Sequence, residues 1–285
     1  LTRERIEATS TWRSDPEPVL RRLLPLSASE SFDIGAVVRL DHRSNDAKLA
    51  RLLGDEGALA DRRLPGVAHR GSAAVDGDTA TAWLTPLDDV VGATLTVTST
   101  NEAITALDLV QPTGAWSTIS ELIVSGPDGD AVVAVPTPDS DGHSLVSVPS
   151  GVIVAEAPFS LTISKIRPLS RIERRYGDKV TMPAGISELT GTAGVDASLS
   201  ALDRPIGRSC ETSLLTVDGA PVPLEFETTA AALLNGDPVT ATMCASPLSL
   251  RTGEHTIVAT DADTGFTVDR VVLSSIDDGP IEPVL

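Results

Sequence analysis

The feature that most constrains the fold is a series of short apolar–polar alternations, each followed by a tight-turn dipeptide. Ala93, Leu95 and Val97 alternate with threonines, and similar runs return from Phe159 to Ile163 and from Phe266 to Leu273. Alternation with period two is typical of a strand with one buried face. Asp-Gly and Asn-Gly pairs, which supply the positive φ angles of tight hairpins, fall at residues 76–77, 128–129, 141–142, 218–219 and 235–236. This pattern predicts an all-β chain.

The length and the spacing of the turns predict two tandem β-sandwiches of the jelly-roll type. The 285 residues, 41% of them hydrophobic, can form two ordinary cores. Arg167-Pro168 ends one strand series, and a charged run followed by new turns and strands begins after it. We therefore expect a first sandwich over 58–168, a second over 169–279 and a loose tail over 280–285.

The N-terminal segment, residues 1–57, has a different, mixed α/β pattern. Apolar residues from Val19 to Leu24 and again from Leu49 to Leu53 recur at helical spacing, and Gly54 is a plausible C-cap for the second helix. Between them, Ser31 to Leu40 has the pattern of a strand. The sequence leaves open whether this segment belongs to the first sandwich or ends a preceding module.

The charge balance excludes two classes of partner. Forty acidic residues against 22 basic ones give a formal net charge of −18. Such a surface repels phosphate backbones and anionic lipids, so we expect neither nucleic-acid binding nor peripheral membrane binding. No apolar run approaches the ~18 residues that a membrane span requires. The chain starts without methionine or a signal segment, as expected for a fragment of a longer protein or a mature chain.

Catalytic signatures are scarce. The four histidines are scattered, and no nucleophile elbow, phosphate-binding loop, zinc-protease motif or dinucleotide fingerprint occurs. With forty acidic residues, a glycosidase-like carboxylate pair remains possible by chance alone. The sequence therefore favours a non-catalytic role, with glycoside hydrolysis as an alternative.

The strongest local motif is the segment Ala73-Ala74-Val75-Asp76-Gly77-Asp78-Thr79-Ala80-Thr81-Ala82-Trp83. It resembles the entry motif of discoidin (factor 5/8 type C) domains, whose sugar-binding relatives form carbohydrate-binding module family 32. The resemblance covers about residues 58–168 and implies a sandwich with a structural calcium ion in this loop. Asp76, Asp78 and Thr81 would be its ligands, since they carry hard oxygen donors. The alternative is a metal-free Asx turn with Trp83 as a core anchor.

One residue departs from the family pattern. The last strand of these domains commonly carries a glutamate that completes the calcium shell, and on the strand Phe159–Ile166 Lys165 stands in its place. By parity, Lys165 shares a face with Phe159 and Ile163. Its ammonium could therefore pair with Asp76 and replace the cation, because a buried carboxylate needs a positive partner.

Cys210 and Cys244 are the only two cysteines. Two thiols without nearby histidines do not make a structural zinc site. An even cysteine count outside the cytosol indicates a disulfide between two strands of the second sandwich. Two buried free thiols are the alternative.

The second half resembles a module found late in actinobacterial arabinofuranosyltransferases of the D type. The resemblance rests on the segments 176–189, 215–219 and 232–238, on Cys244 and on 250–255. These large membrane-bound enzymes build cell-wall arabinan, and their extracytoplasmic C-terminal part carries discoidin-like and other sandwich modules in tandem. The resemblance implies an extracytoplasmic fragment that touches the membrane only through other parts of its parent chain, with the transferase chemistry also located there.

We therefore expect a role in binding cell-wall glycan, such as arabinan or galactan, or in positioning the catalytic portion. Aromatic residues make up only 3% of the chain, so an aromatic platform must come from a short list. Trp83 belongs to the motif and Trp12 lies in the N-terminal segment, which leaves Trp116, in a loop next to Gly114, as the candidate. His143 could join it from a neighbouring loop. A spacer that binds no sugar, with Trp116 capping the core, is the rival interpretation.

Overall fold

The computed structural model describes residues 1, 17, 19–41, 43–98, 102–172, 177–190, 204–259 and 264–276. Within these ranges the chain is built mainly of antiparallel strands with two short α-helices, which confirms the all-β prediction. No helix of the described part is long and apolar enough to cross a bilayer. Trp12 and the expected loose tail, residues 280–285, lie outside the described residues.

The elements are numbered in chain order. The helices are α1 (Asp46–Leu53) and α2 (Ala230–Leu234), and two 3₁₀ turns lie at Val67–His69 and Gly71–Ala74. The strands are β1 (Arg21–Leu26), β2 (Glu30–Leu40), β3 (Ala58–Ala60), β4 (Trp83–Leu84), β5 (Thr94–Val97), β6 (Ala106–Val110), β7 (Thr118–Gly126), β8 (Gly129–Ala134), β9 (His143–Ser147), β10 (Phe159–Arg167), β11 (Ser170–Ile172), β12 (Lys179–Thr181), β13 (Gly185–Ile186), β14 (Glu188–Thr190), β15 (Pro205–Glu211), β16 (Leu215–Val217), β17 (Ala220–Pro221), β18 (Leu224–Thr229), β19 (Val239–Met243), β20 (Leu248–Leu250), β21 (Gly253–Ala259) and β22 (Phe266–Ser275).

The chain divides into two units, and one of them is discontinuous. The central unit spans His42–Ala201, and the flanking unit combines Leu1–Asp41 with Leu202–Leu285. This differs from the expected tandem order with a separate N-terminal segment and a boundary at residue 168. The segment that the sequence left unassigned is split between the two units, and the first sandwich continues well past residue 168.

The central unit is a sandwich of two main sheets. One sheet has the strand order β3-β5-β10-β7-β8 and the other has the order β14-β6-β9, while β4 pairs with β13 and β11 with β12. Inward-facing side chains of both sheets form one core, and Trp83 lies fully buried in it. The short strands β12, β13 and β14 follow the expected boundary at residue 168. They pair with β11, β4 and β6 respectively and therefore complete the first sandwich.

Helix α1 has the ends that the sequence indicates. The Asn45 side chain accepts a hydrogen bond from the backbone N–H of Lys48 at 2.9 Å, and Gly54 closes the helix with a positive φ of 70°. The helix covers the central unit with Leu49 and Leu53, both buried. The predicted second helix is therefore confirmed, but as part of the sandwich unit.

The flanking unit is organised around β2, whose predicted strand character is confirmed. β2 pairs with β22 along one edge and with β19 and β20 along the other, so an N-terminal strand lies in the middle of a C-terminal sheet. A second sheet has the order β1-β21-β16-β17. The helix expected from Val19 to Leu24 is wrong, because Arg21–Leu26 pairs as a strand with β21 and alternates exposed and half-buried residues.

Cys210 and Cys244 form a disulfide with their Cα atoms 5.7 Å apart. Cys210 belongs to β15, and Cys244 directly follows β19. Both strands pair with β18, one on each side, so the bond ties together two strands that are not neighbours. The predicted disulfide is confirmed.

Candidate functional site

The acidic loop, defined as Asp76 to Thr81, is held by hydrogen bonds from its own residues to Asp76. One carboxylate oxygen of Asp76 accepts from the backbone N–H of Asp78 at 3.0 Å, and the Thr81 hydroxyl donates to both oxygens at 3.1 and 2.9 Å. The carbonyl oxygen of Asp78 accepts from the N–H and the hydroxyl of Thr81. Gly77, with a φ of 78°, provides the left-handed turn that the loop needs. The three predicted ligand residues are therefore brought together.

A fourth residue, Glu188 on β14, contacts this loop, although it lies more than a hundred positions later in the chain. Its Oε2 accepts a hydrogen bond from the backbone N–H of Gly77 at 2.8 Å, and the residue is 7% exposed. Burial, together with repulsion from Asp76 and Asp78, raises the pKa of Glu188 to about 7, although the Gly77 hydrogen bond opposes the shift. A glutamate thus contacts the acidic loop, and it lies on β14 and not on the strand Phe159–Ile166.

Lys165 does not contact the loop, and its predicted pairing with Asp76 is wrong. Its Nζ lies 2.7 Å from Glu121, and its side chain is 68% exposed. The pairing of β10 with β7 shifts register on both sides of Lys165, so the alternation that buries Ile163 does not continue to Lys165. Parity counted from Phe159 therefore places this side chain on the wrong face.

Arg70 is the cation that contacts the acidic loop directly. One of its terminal nitrogens lies 2.9 Å from Asp76, and its Nε lies 3.2 Å from Asp55. Arg70 is 7% exposed, so these contacts are poorly screened by solvent. One guanidinium thus faces the carboxylates of Asp55 and Asp76, and no sequence motif singles out Arg70.

The chemistry of the loop fits the calcium ion that the discoidin resemblance implies. The described residues contain no cluster of three or more His, Cys, Asp or Glu side chains arranged around a metal position. The donors are instead mixed: the carboxylates of Asp76 and Glu188, the Thr81 hydroxyl and the Asp78 carbonyl, all hard oxygens of the kind that calcium binds. Burial is the main cause of the raised pKa of Glu188, and the charges of Asp76 and Asp78 add to it; a divalent cation beside these carboxylates would favour the ionised form.

A cleft of about 520 Å³ opens beside the acidic loop. This volume is within the range of about 300–1,000 Å³ that is usual for small-molecule sites. The cleft is lined by residues of five segments: Ala68 and His69; Thr79 to Ala82 with Leu84; Val110 to Thr113 with Trp116; Ser140 and Asp141; and Ser187. Part of the acidic loop is therefore one wall of the cleft.

Trp116 lines the cleft and is half-buried, so part of its surface remains accessible. The next residue, Ser117, fixes the segment: its hydroxyl donates to the Met182 carbonyl at 2.6 Å and accepts from the Leu169 N–H at 3.0 Å. On the other side, the buried amide of Gln111 bridges the N–H and the carbonyl of Ile119. These hydrogen bonds fix the chain on both sides of Trp116.

His143 does not line the cleft. Its Nδ1 lies 2.9 Å from the carboxylate of Asp108, and the imidazole side chain is 44% exposed. The hydrogen bond and the charge of Asp108 raise the pKa of His143. Asp141, two residues earlier in the same loop, reaches the cleft instead. The structure therefore separates the two residues that the sequence proposed together.

Comparisons with known proteins agree with this architecture. No family model and no curated protein matches the sequence. The cryo-EM structure of arabinofuranosyltransferase AftD from Mycobacteria matches with a TM-score of 0.67 and 23% identity, over 94% of this chain and 21% of that one. A mutant form of the same enzyme matches over 98% of this chain and 22% of that one, with a TM-score of 0.68 and 22% identity.

A family 32 carbohydrate-binding module from C. perfringens NanJ, solved in complex with galactose, matches 46% of this chain and 89% of that one, with 21% identity and a TM-score of 0.33. At 22–23% identity, the two AftD matches describe the fold alone. The expected likeness to the arabinofuranosyltransferases is confirmed at that level. This chain shares the fold of a segment that makes up about one fifth of the length of mycobacterial AftD.

Proposed function

We propose that this chain is an extracytoplasmic, glycan-binding fragment of an arabinofuranosyltransferase-like membrane protein, and that its central unit holds cell-wall glycan for the catalytic portion. The observation that carries the proposal is the cleft in which a braced, partly accessible Trp116 lies among Ser, Thr and Gln side chains. An aromatic face packs against the C–H face of a sugar ring, while hydroxyl and amide groups exchange hydrogen bonds with its hydroxyls. Arabinan and galactan are the glycans proposed.

The charges and the cysteines support the same proposal. Asp141 is the only carboxylate among the described residues that line the cleft, whereas glycoside hydrolysis usually employs two. This favours binding over hydrolysis. The disulfide of the flanking unit suits an oxidising compartment, as proposed for a module outside the cytoplasm.

Titration of arabinan and galactan oligosaccharides by NMR or calorimetry tests this function. We expect dissociation constants of roughly 1 mM, because one stacked ring and a few hydrated hydrogen bonds give about −4 kcal/mol. Trp116→Ala should abolish binding, whereas His143→Ala, a change outside the cleft, should leave it unchanged. Absence of binding by the wild type would favour the spacer interpretation, and release of reducing sugar would favour the hydrolase.

We also propose that calcium binds at the acidic loop. Asp76, Thr81 and Glu188 would hold it with side-chain oxygens, and Asp78 with its carbonyl. The bound ion would supply positive charge between the loop and β14. Arg70 would then balance Asp55 and the remaining charge of the loop.

A further inference from the structure

The cleft carries few ionisable groups. Among its described lining residues, Asp141 is the only acidic residue and His69 the only histidine, and neither lysine nor arginine is present. The other polar groups are hydroxyls and the amide of Gln111. The charge of the cleft at neutral pH therefore depends on two residues.

The surroundings of His69 disfavour its charged form. Burial is the main cause that lowers the pKa of His69 below its ordinary value, and the nearby positive charge of Arg63 adds to the shift. Its Nδ1 is buried without a hydrogen-bond partner in the described structure. The Nε of Arg63 lies 3.4 Å from the buried carboxylate of Asp46, which holds this guanidinium in place.

Asp141 is held at the cleft by the backbone of its own loop. The N–H groups of Asp141 and His143 both donate to one carboxylate oxygen of Asp139, at 3.0 Å each. Gly142 fixes the loop against the neighbouring segment, because its carbonyl accepts from the N–H of Gln111 at 2.8 Å. The loop is therefore a rigid support for Asp141.

Asp141 is the acidic residue of the cleft lining. It is exposed, and its carboxylate has neither a hydrogen bond nor an ion pair with the described residues. Its charge acts on His143 without direct contact, and the ring of His143 is hydrogen-bonded to Asp108. A free carboxylate at the rim accepts hydrogen bonds from sugar hydroxyls and repels ligand carboxylates and phosphates.

We infer that the cleft selects neutral glycans and that Asp141 is the residue that excludes acidic ones. The inference rests on the proposed glycan-binding function and deepens it by naming the ligand class. Asp141 combines attraction for hydroxyl donors with repulsion of anions, and such a repulsive element commonly creates specificity. The net charge of −18 acts in the same direction at longer range, but salt screens it.

The test is a titration with matched neutral and acidic ligands. Galactan oligosaccharides are compared with oligogalacturonides of the same length, which carry a carboxylate on each sugar. Both ligands are titrated against the wild type, Asp141→Asn and Asp130→Asn. Asp130 is an exposed residue of β8 outside the cleft, so its variant removes the same global charge without changing the cleft. NMR shift changes of the Trp116 indole report the binding site.

We expect the wild type to bind the neutral ligand about five to ten times more tightly than the acidic one, as a like charge a few ångströms away would dictate. Asp141→Asn should remove most of this difference in affinity, whereas Asp130→Asn should leave the difference unchanged. Equal binding of both ligands by the wild type, or a gap that persists in Asp141→Asn, overturns the inference while leaving glycan binding intact. If the wild type binds no glycan at all, neutral or acidic, the proposed function fails and the inference with it.

Discussion

Gly77 donates its backbone N–H to the buried carboxylate of Glu188 at 2.8 Å, which joins two residues 111 positions apart in the chain. The contact fastens the acidic loop to the last strand of the central sandwich. Both partners also adjoin the cleft, because Thr79 to Ala82 and Ser187 line it. The stability of the loop and the shape of the candidate glycan site therefore depend on the same carboxylate.

The first prediction concerns calcium at this contact. Calcium should raise the melting temperature of the central unit by several degrees over chelator, because an ion at 100 times its dissociation constant adds about 2.7 kcal/mol to the folded state. Glu188→Gln should remove most of this response, although its amide oxygen can still accept from Gly77. Differential scanning calorimetry with calcium and with chelator measures the effect.

Lys165→Ala is the control for this experiment. Its pair with Glu121 is exposed and screened by solvent, and it lies away from the acidic loop, so the calcium response should be unchanged. Identical melting of the wild type with calcium and with chelator would contradict the calcium proposal and leave Arg70 as the sole cation of the loop.

Gly142 gives a second prediction, about the support of the cleft. A Cβ atom at this position would lie 2.3 Å from the Gln111 carbonyl oxygen, and the φ of Gly142 is 95°. Gly142→Ala should therefore cost about 3 kcal/mol or more and weaken glycan binding. Gly151→Ala is the matched control: its φ is 88°, but nothing lies within 4 Å of the added atom, so we expect only ~1 kcal/mol. Chemical denaturation compares them, and equal losses would exclude the proposed clash.

The third prediction is a pH dependence of the flanking unit. Both ring nitrogens of His255 have acceptors: Nδ1 lies 2.6 Å from Asp218, and Nε2 lies 2.7 Å from the Arg251 carbonyl. Asp218 first, and then this carbonyl, raise the pKa of His255 above 6.5. The stability from protonated His255 is therefore fully present below pH 6.5 and lost as pH rises through the higher folded-state value.

Denaturant unfolding of the flanking unit between pH 6 and pH 9 measures this loss. Asp218→Asn removes the negative charge beside His255, so the free energy of unfolding should depend less on pH. Asparagine tolerates the positive φ of 51° at this turn. His143→Gln, which breaks the more exposed pair with Asp108, should not change it. A wild-type curve that is flat over this range would show that His255 has no such effect.

The disulfide gives the last prediction. Cys210 and Cys244 are 34 positions apart, and a loop of that size is worth roughly 3–4 kcal/mol in the chain-entropy model. The double variant Cys210→Ala/Cys244→Ala should therefore unfold at a lower denaturant concentration. Thiol titration of the denatured, unreduced wild type should find no free thiol. Two free thiols, or an unchanged midpoint in the variant, would contradict the prediction.

The parts of the fold that the sequence predicted are those with a strong local signal. The alternation from Phe159 to Ile163 is buried every second residue, as expected for β10. The helix before Gly54 ends where its cap indicates. The disulfide could be predicted from the even number of cysteines and the expected location outside the cytosol. The first two signals lie within a few consecutive residues, and the third depends on a single residue type.

The parts that the sequence did not predict depend on distant pairing. β13 and β14 have two and three residues, too few to show a period, so the sandwich was expected to end before Glu188. The register shift at Lys165 requires knowledge of its pairing with β7. Asp141 is one acid among forty, and only the folded loop places it at the cleft beside Trp116.

The position of β2 has a consequence for folding during synthesis, which proceeds from the N-terminus to the C-terminus. The chain emerges from the ribosome N-terminus first, yet every strand that pairs with β2 is made after the whole central unit. Until then, β2 exposes two unpaired edges and an apolar face that includes Ile34 and Val38. The flanking unit can therefore complete its sheet only after the central unit has been synthesised, and β2 must be kept from aggregating in the meantime.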